Sequence, residues 1–266
     1  MPPILPRRRL GNTGLEVSLL SLGTVKLGRT EGVRYPTRFE LPSDEDFQAL
    51  LRLARDGGLN LLDTAPSYGV SELRLGQLLK GQRERWLLCS KVGEAFEQGQ
   101  SSYDFRPEAI RASVERSLSR LNTDRLDILL IHSDGQDVKR IVEDGALETL
   151  TRLKQEGKTR AIGISSKTVE GGLLGLEHSD CVMVTLNLGH LDELPVITRA
   201  AALQKGVLIK KAFAYGHACV SDLVDPVRAS LKLCLDQPGV SSVVVGTINP
   251  VHLRENIQAA CTLITP

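Results

Sequence analysis

The sequence contains no hydrophobic run long enough to cross a lipid bilayer. Its longest apolar runs, Leu126–Ile131 and Val240–Val245, have the length of single strands, whereas a transmembrane helix needs ~20 apolar residues. Residues 1–10 are rich in proline and arginine and lack the apolar segment of a secretory signal peptide. We therefore expect no association with a membrane.

Cysteine pairs and metal-ligand patterns are also missing. The cysteines form no CxxC pair, and no cysteine and histidine residues have the spacing of a metal site. Cys89 and Cys181 lie inside strand-like apolar runs, so we expect buried, reduced thiols, no bound metal and a cytoplasmic location. The remaining cysteines are Cys219, Cys234 and Cys261.

The chain has no excess of either charge, with 33 Lys and Arg residues against 32 Asp and Glu. A nucleic-acid partner is therefore not expected, because no basic field is present to bind phosphates. With 266 residues, of which 41% are hydrophobic, the chain suits one large α/β barrel or two small domains. No break in composition divides it, and we predict a single domain over residues 1–266.

Strand-like apolar runs alternate with helical patterns along the whole chain. The runs are almost continuously apolar, which is typical of parallel strands covered on both faces. They are Val17–Gly23, Leu59–Ala65, Trp86–Val92, Leu126–His132, Thr159–Ser165, Cys181–Leu188, Val207–Phe213 and Ser241–Gly246. The main helical patterns are Asp44–Gly57, Arg106–Asn122, Ala146–Gly157, Glu193–Gly206, Asp225–Gln237 and Pro250–Cys261.

This alternation predicts an α/β fold, a (β/α)8 TIM barrel. The alternative is an open, doubly wound sheet, which usually carries a GxGxxG turn that this sequence lacks. Gly11 and Gly14 lie between two short arms before the first strand, and we predict an N-terminal β-hairpin that closes the bottom of the barrel. A polar insertion, Glu31–Leu41, follows the first strand and is expected at the active-site face.

Three consecutive predicted strands end in ionisable side chains, Asp63, Lys91 and His132. The carboxyl ends of barrel strands meet at one face and neighbouring strands lie ~4.8 Å apart, so these side chains should converge. Tyr68 follows Asp63 in a turn and should fold back beside them. A helix is predicted to begin near Ser71, which would cap it.

Each of these residues alone has an ordinary explanation, as a helix cap, a surface charge or a hydrogen-bonded core histidine. Together, an acid, a phenol, an amine and an imidazole on one rim indicate a proton-transfer site. A buried Lys91 needs an acidic partner, which Asp63 supplies. The ammonium should lower the pKa of Tyr68, and His132 should hydrogen-bond a substrate oxygen as hydride reaches carbon.

Six sequence motifs occur in a characteristic order: Arg9–Ser18 (RLGNTGLEVS), Asn60–Gly69 (NLLDTAPSYG), Ser90–Gly93 (SKVG), Leu126–His132 (LDILLIH), Lys158–Ser165 (KTRAIGIS) and Val245–Pro250 (VGTINP), the last followed by Glu255-Asn256. In this order they resemble the aldo-keto reductase family over essentially the whole chain. The resemblance implies a monomeric (β/α)8 barrel that reduces small aldehydes or ketones with NADPH, or less often NADH. It also implies Tyr68 as general acid, supported by Asp63, Lys91 and His132.

The resemblance further implies a nicotinamide site, where the sequence departs from the family pattern. Ser165 and Ser166 stand where the family has a Ser-Asn pair that holds the carboxamide, and Ser166 lacks the amide. A family glutamine on the sixth strand is replaced by Met183, whereas Asn187 is retained.

Lys210 and Lys211 stand where the family often has a tyrosine stacked on the nicotinamide ring. Side chains alternate along a strand, so only one of these lysines faces inward. We expect Lys211 to lie near the cofactor, the alternative being a solvated or helix-facing side chain.

The adenosine phosphates are expected at the start of the last helix, where Asn249 would cap free N–H groups. Thr247 aligns with the family hydroxyl at the 2′-phosphate, and Asn256 with the residue that meets adenine. Gly246 and His252 replace a lysine and an arginine of the family. This weaker phosphate clamp favours NADPH less strongly, and NADH is the alternative.

Loops after the strands should form an open and permissive substrate pocket. The main functional hypothesis is a carbonyl reductase. A second is a catalytically weak, cofactor-sensing partner subunit, like the potassium-channel β subunits that share this fold. A third, an aldolase or isomerase with Lys91 as a Schiff-base amine, is disfavoured by the pairing of Asp63 with Tyr68.

Overall fold

A computed structural model describes residues 4–220 and 224–264, without the side chains of residues 219 and 220. In chain order the strands are β1 (Arg7–Arg9), β2 (Glu16–Ser18), β3 (Leu20–Gly23), β4 (Leu61–Asp63), β5 (Leu87–Val92), β6 (Glu94–Glu97), β7 (Gln100–Tyr103), β8 (Leu126–His132), β9 (Thr159–Ser165), β10 (Cys181–Thr185), β11 (Gly206–Lys210) and β12 (Val240–Val245). The helices are α1 (Val25–Gly28), α2 (Asp44–Asp56), α3 (Ser71–Leu78), α4 (Pro107–Leu121), α5 (Asp137–Val142), α6 (Ala146–Gln155), α7 (Val169–Glu177), α8 (Leu194–Ala202), α9 (Pro226–Leu235) and α10 (Pro250–Ile264), with 3-10 turns at Arg83–Arg85 and Ala214–Val220.

The central sheet is a closed parallel barrel. Its strands follow one another in the order β3, β4, β5, β8, β9, β10, β11 and β12, and the last pairs with the first. The predicted (β/α)8 fold is therefore confirmed, and the open doubly wound sheet is excluded. Because every barrel pair is parallel, the carboxyl ends of all strands lie at the same face.

Some strands are shorter than the apolar runs that predicted them. The run Val17–Gly23 is divided between the hairpin strand β2 and the barrel strand β3. The run Cys181–Leu188 leaves the barrel after Thr185, and Asn187 forms an isolated bridge with His190 in the loop that follows. Hydrophobic residues thus continue into loops that pack on the barrel, which the apolar pattern did not separate from strand.

The N-terminal hairpin closes the bottom of the barrel, as predicted. β1 and β2 pair antiparallel, and Leu10, Leu15 and Val17 are fully buried against the interior side chains of the barrel. Those interior side chains are Leu61, Cys89, Ile128, Leu130, Ala161, Cys181, Met183 and Leu208. Gly11 has a positive φ of 52° and lies against the backbone of Gly206, where a Cβ would not fit.

Helix ends follow their local sequence signals in most places. Ser43 accepts a hydrogen bond from Asp46 N at the start of α2, and α4 ends at Asn122 in the left-handed conformation. The predicted cap of α3 is wrong, because the capping position is Val70. Ser71 instead donates to Thr24 Oγ1 at 2.8 Å, inside the packing between α3 and the barrel.

Two further predictions concern thiols and membranes. Cys89, Cys181 and Cys234 are free and buried, as predicted, Cys261 is buried, and the side chain of Cys219 lies outside the described residues. Among the helices of the described chain, none is both long enough and apolar enough to span a bilayer.

Candidate active site

The ammonium group of Lys91 joins three groups at the carboxyl end of the barrel. It donates to Asp63 Oδ1 at 2.5 Å, to Thr64 O at 2.9 Å and to Tyr68 OH at 3.3 Å. Lys91 is 1% exposed and Asp63 is 3% exposed, so water does not compete for this ion pair. The structure thus brings Asp63, Lys91 and Tyr68 together in one hydrogen-bonded cluster.

Strand register and a close backbone contact place these three side chains. Asp63 pairs with Cys89 across β4 and β5, and Lys91 lies two residues beyond on β5, one inward-facing position further along. Tyr68 lies in the turn between β4 and α3. Gly28 packs so closely on the backbone oxygen of Tyr68 that a Cβ at position 28 would overlap it. A glycine is therefore required for the turn to lie against the barrel.

Burial and charge act in opposite directions on the two proton-carrying groups. Burial raises the pKa of the Tyr68 phenol by more than Lys91 lowers it. Burial alone would lower the pKa of Lys91, but Asp63 and Tyr68 outweigh it and raise that pKa. Lys91 lowers the pKa of Tyr68, as predicted. The prediction that this pKa falls overall is wrong, because it did not include the effect of burial. Lys91 stays charged and Tyr68 stays protonated.

His132 lies beside Tyr68 and contacts a carboxylate that was not predicted. Its ring centroid is 6.1 Å from that of Tyr68, with the rings nearly perpendicular. Its Nδ1 lies 2.7 Å from Glu94 Oε2 and 3.3 Å from Ser67 Oγ. Burial lowers the pKa of His132 below its ordinary value, and Glu94 opposes that shift. Burial alone would raise the pKa of Glu94, but hydrogen bonds from His132, Ser101 and Ser67 bring it to about 2.

A second lysine reaches the active-site face, and it is Lys210 rather than Lys211. Lys210 Nζ donates to Ser165 Oγ at 2.8 Å and to Ser166 O at 2.6 Å. Lys211 lies just beyond the end of β11, in the left-handed conformation, with its ammonium 5.3 Å from the Tyr215 ring centroid. The expectation for Lys211 is corrected accordingly, because strand alternation ends at Lys210 and does not reach position 211.

The Lys210 ammonium has no acidic partner among the residues that the structure describes. Burial, followed by the charge of Lys211, lowers the pKa of Lys210 to about 7, against a smaller raising effect of Glu193. A cation held in this way at the mouth of a barrel lowers its free energy by meeting an anion or by losing its proton.

Three other residues predicted at the nicotinamide end have their polar groups engaged elsewhere or have none. The Ser166 hydroxyl donates to Glu193 Oε1 at 3.0 Å. Met183 is buried in the barrel interior. Asn187 donates from Nδ2 to Lys211 O and accepts from Gly189 N, so its amide holds the loop after β10. Of the residues predicted at the nicotinamide end, Ser165 is thus the one whose hydroxyl contacts the Lys210 ammonium.

The start of α10 has the predicted capping geometry. Asn249 Oδ1 accepts from Val251 N at 2.8 Å, and Thr247 Oγ1 accepts from Asn249 N at 3.1 Å. The loop after β12 therefore presents a capped helix N-terminus at the carboxyl end of the barrel.

The remaining predicted adenosine-site residues differ in exposure. Gly246 is half-buried beside the Tyr35 hydroxyl, which would lie 3.5 Å from a Cβ at that position. His252 is exposed on the first turn of α10, whereas Asn256 is 5% exposed on the same helix. The exposed His252 ring does not replace the fixed charge of an arginine.

Two cationic side chains, Lys26 and Arg29, pack on aromatic rings in the segments that follow barrel strands. Lys26 Nζ lies 3.9 Å from the centre of the Tyr35 ring and 5.0 Å from that of Phe39, both in the predicted insertion. Arg29 stacks on Phe96 at 4.0 Å, and its Nε and Nη1 are buried and have no hydrogen-bond partner among the described residues. No role was predicted from the sequence for Lys26, Arg29 or Glu94, and Lys210 was named only beside the favoured Lys211. The one signal for Lys26, Arg29 and Glu94 was position, in the segments that follow β3 and β5.

Two clefts lie at the opposite end of the barrel. One, of about 630 Å³, is lined by residues that include Arg7, Leu15 and Trp86, and the other, of about 330 Å³, by residues that include Arg8 and Asp236. Trp86 thus lies at the bottom of the barrel. Neither cleft reaches the Lys91 cluster.

Comparisons with known proteins agree with this geometry. The aldo/keto reductase family profile matches residues 19–172. L-galactose dehydrogenase of Arabidopsis thaliana is 31% identical, over 96% of this chain and 88% of its own. D-threo-aldose 1-dehydrogenase of a Pseudomonas species is 25% identical, over 93% of this chain and 90% of its own.

Solved structures are similar over nearly the whole chain. A Pseudomonas aeruginosa protein assigned to the aldo-keto reductases is 52% identical with a TM-score of 0.89, covering 97% of this chain and 95% of that one. The holo form of an aldo-keto reductase from Bacillus halodurans is 26% identical with a TM-score of 0.80, covering 96% and 90%. The chain is therefore an oxidoreductase that belongs to the aldo/keto reductase family.

Proposed function

We propose that the protein reduces an aldehyde or ketone to an alcohol with NADPH, and that Tyr68 is the general acid. The observation that carries the proposal is the Lys91 ammonium, which lies within hydrogen-bond distance of both Asp63 and Tyr68 OH. An ammonium in this position stabilises the phenolate that remains when Tyr68 gives up its proton.

Bound NADPH supplies a hydride to the carbonyl carbon. As negative charge grows on the carbonyl oxygen, Tyr68 donates its phenolic proton to that oxygen. Lys91 stabilises the tyrosinate, Asp63 keeps Lys91 oriented, and His132 contacts the same substrate oxygen. Because burial raises the pKa of Tyr68, the phenol holds its proton at neutral pH until the reaction requires it.

The catalytic face fits a dinucleotide phosphate group. The N–H groups at the start of α10 lie beside the capping residue Asn249, and such helix ends attract phosphate. Lys26 and Arg29 make no ion pair within residues 4–220 and 224–264. We assign the diphosphate to this surface.

The two ends of the cofactor are assigned to different strand ends of the barrel mouth. Ser165 and Lys210 would hold the nicotinamide end, and Thr247 and Asn256 the adenosine end. NADPH is preferred because the Thr247 hydroxyl would meet the 2′-phosphate. NADH is the alternative, since Gly246 supplies no cation.

The direct test is consumption of NADPH absorbance with a panel of activated aldehydes and aldoses, the aldoses chosen because two relatives are named for sugars. Tyr68→Phe should reduce turnover by about 10²–10⁴-fold and leave NADPH affinity unchanged. Tyr215→Phe is the matched control. Absence of turnover across the panel, or an unimpaired Tyr68→Phe variant, would contradict the proposal.

A cofactor-sensing partner subunit is the second candidate function. It is favoured by the nicotinamide end, where the Ser166 hydroxyl bonds Glu193 and Met183 offers no amide. Tight NADPH binding with negligible turnover would select it.

We also propose that the protein acts as a monomer in the reducing cytoplasm. Asp63, Tyr68, Lys91 and His132 all come from one chain, and the free, buried thiols of Cys89, Cys181 and Cys234 suit a reducing compartment. Light scattering should give the mass of a single chain, and a dimer mass would contradict this.

A further inference from the structure

Glu94 is the first residue of β6 and follows the strand that carries Lys91. Its two carboxylate oxygens have separate partners. Oε1 accepts from Ser101 Oγ at 2.7 Å and from Tyr103 OH at 3.3 Å, both across the β6–β7 hairpin. Oε2 lies 2.7 Å from His132 Nδ1. The hairpin therefore holds the carboxylate in a fixed orientation against the imidazole.

An ionised carboxylate only accepts hydrogen bonds, so the nitrogen that faces it must carry a proton. Glu94 is ionised at any physiological pH, because hydrogen bonds from His132, Ser101 and Ser67 lower its pKa to about 2 against the effect of burial. A neutral imidazole carries one proton in total. When Nδ1 holds that proton, Nε2 has none.

We propose that Glu94 is a positioning residue that fixes neutral His132 as the Nδ1–H tautomer, so that its unprotonated Nε2 accepts a hydrogen bond from the hydroxyl of an alcohol substrate. Protonated His132 carries N–H groups on both nitrogens and donates from Nε2 to a carbonyl oxygen. The two members of the substrate pair, alcohol and carbonyl, are thus recognised by different protonation states of one ring. The substrate consequence rests on the proposed function, whereas the tautomer does not.

The charged and titratable groups around His132 set the balance between these two states. Lys91 and Lys210 oppose a positive charge on the ring, as does burial, while Glu94 favours it. The Tyr68 ring is the remaining titratable neighbour. Because the combined effect lowers the pKa of His132, the neutral, alcohol-binding state predominates at neutral pH. The rate of alcohol oxidation should therefore increase as the pH rises, and the rate of carbonyl reduction should increase as the pH falls.

The tautomer is measured directly from the ring ¹⁵N chemical shifts of the labelled, full-length protein at a pH where His132 is neutral. The His132→Asn variant identifies its signals among those of the five histidines. We expect a protonated Nδ1 and an unprotonated Nε2. In Glu94→Gln, the amide oxygen should take the Ser101 and Tyr103 bonds and turn the NH₂ toward Nδ1, which moves the ring proton to Nε2.

Glu97→Gln is the matched control, an exposed glutamate on the same strand, and should leave the tautomer unchanged. A wild-type ring with its proton on Nε2 would overturn the proposal, and this readout remains even if Glu94→Gln does not fold. An unchanged tautomer in folded Glu94→Gln would also overturn it.

Kinetics provide a second readout. In Glu94→Gln the pH limb of reduction should disappear, because the neutral ring then still donates from Nε2, and oxidation at pH 8 should fall by roughly tenfold, the worth of one hydrogen bond. If the pH profiles of oxidation and reduction were the same in Glu94→Gln as in the wild type, the proposed contact of His132 Nε2 with the substrate would be refuted. The expected tautomer in a protein without any turnover would support the role of Glu94 and reject the proposed function.

Discussion

Lys91 carries a positive charge where almost no water reaches it, and the neighbours of the charge explain how it persists. Asp63 balances it at 2.5 Å, and Thr64 O takes a second hydrogen bond. Removing one partner of such a buried pair costs about 3–5 kcal/mol, because the other charge is left alone. Substitution of Lys91 would therefore combine loss of chemistry with loss of stability. Tyr68→Phe, which removes one hydroxyl, separates the two effects.

Lys210 is the opposite case, a cation without an acidic partner in the described chain. In the folded protein its pKa is lowered to about 7, mainly by burial, whereas an unfolded lysine titrates near ~10.4. Between these pH values the unfolded state binds more protons, so the free energy of unfolding increases with pH. The destabilising effect is complete below pH ~7 and is relieved as the pH rises toward ~10.

Lys210→Met should therefore raise the free energy of unfolding by more at pH 6 than at pH 9, with a difference on the order of 1–2 kcal/mol. Urea unfolding of wild type and variant at both pH values measures this. Lys80→Met, at an exposed lysine remote from the barrel mouth, should show no such difference between the two pH values. A Lys210→Met effect independent of pH would mean that the ammonium keeps its proton throughout.

The N-terminal hairpin stabilises the fold by completing the core inside the barrel. Leu15 is 1% exposed and packs on the barrel interior, so Leu15→Ala should cost about 2–5 kcal/mol through lost contacts and a cavity. Leu73→Ala, at a leucine 48% exposed on α3, should change stability by less than about 0.5 kcal/mol. Denaturant unfolding compares them. Equal effects would show that the hairpin does not contribute to the barrel core.

Elements that are buried on both sides could be predicted from the sequence, and amphipathic surface strands could not. The barrel strands carry continuous apolar runs because helices cover them outside and side chains fill them inside. The β6–β7 hairpin has polar residues such as Ser101 and Ser102 on exposed positions, and no strand was predicted in its segment. The hairpin holds Glu94 against His132, which ends a neighbouring barrel strand. A contact between segments this far apart in sequence cannot be predicted from a local pattern.

For the molecule as a whole, cofactor binding should appear as added stability. NADPH at 100 times its Kd should stabilise the fold by about 2.7 kcal/mol, which corresponds to an increase in Tm of roughly 5–10 °C for a chain of this size. NADH at the same concentration should give a smaller increase, since the Thr247 hydroxyl would meet a phosphate that NADH lacks. Equal increases would show that this surface does not distinguish the two cofactors.

Positions at strand ends were the part of the site open to sequence reasoning. Asp63, Lys91 and His132 each end or nearly end a barrel strand, and the fold brings such positions to one face whatever the details of packing. Lys210 and Lys211 show the limit of that reasoning. Lys210 is the last residue of β11 and Lys211 lies just beyond it, and only the point where the strand stops decides which ammonium reaches Ser165.

The sequence by itself determined the class of fold and the residues of the Lys91 cluster, because hydrophobic periodicity and strand-end chemistry are local properties of the chain. The tertiary structure decided the proton states, since these depend on burial and on distances between residues remote in sequence. Burial reverses the expected shift of the Tyr68 pKa. The contact of Glu94 with Nδ1 of His132, across 38 positions of the chain, assigns the ring proton.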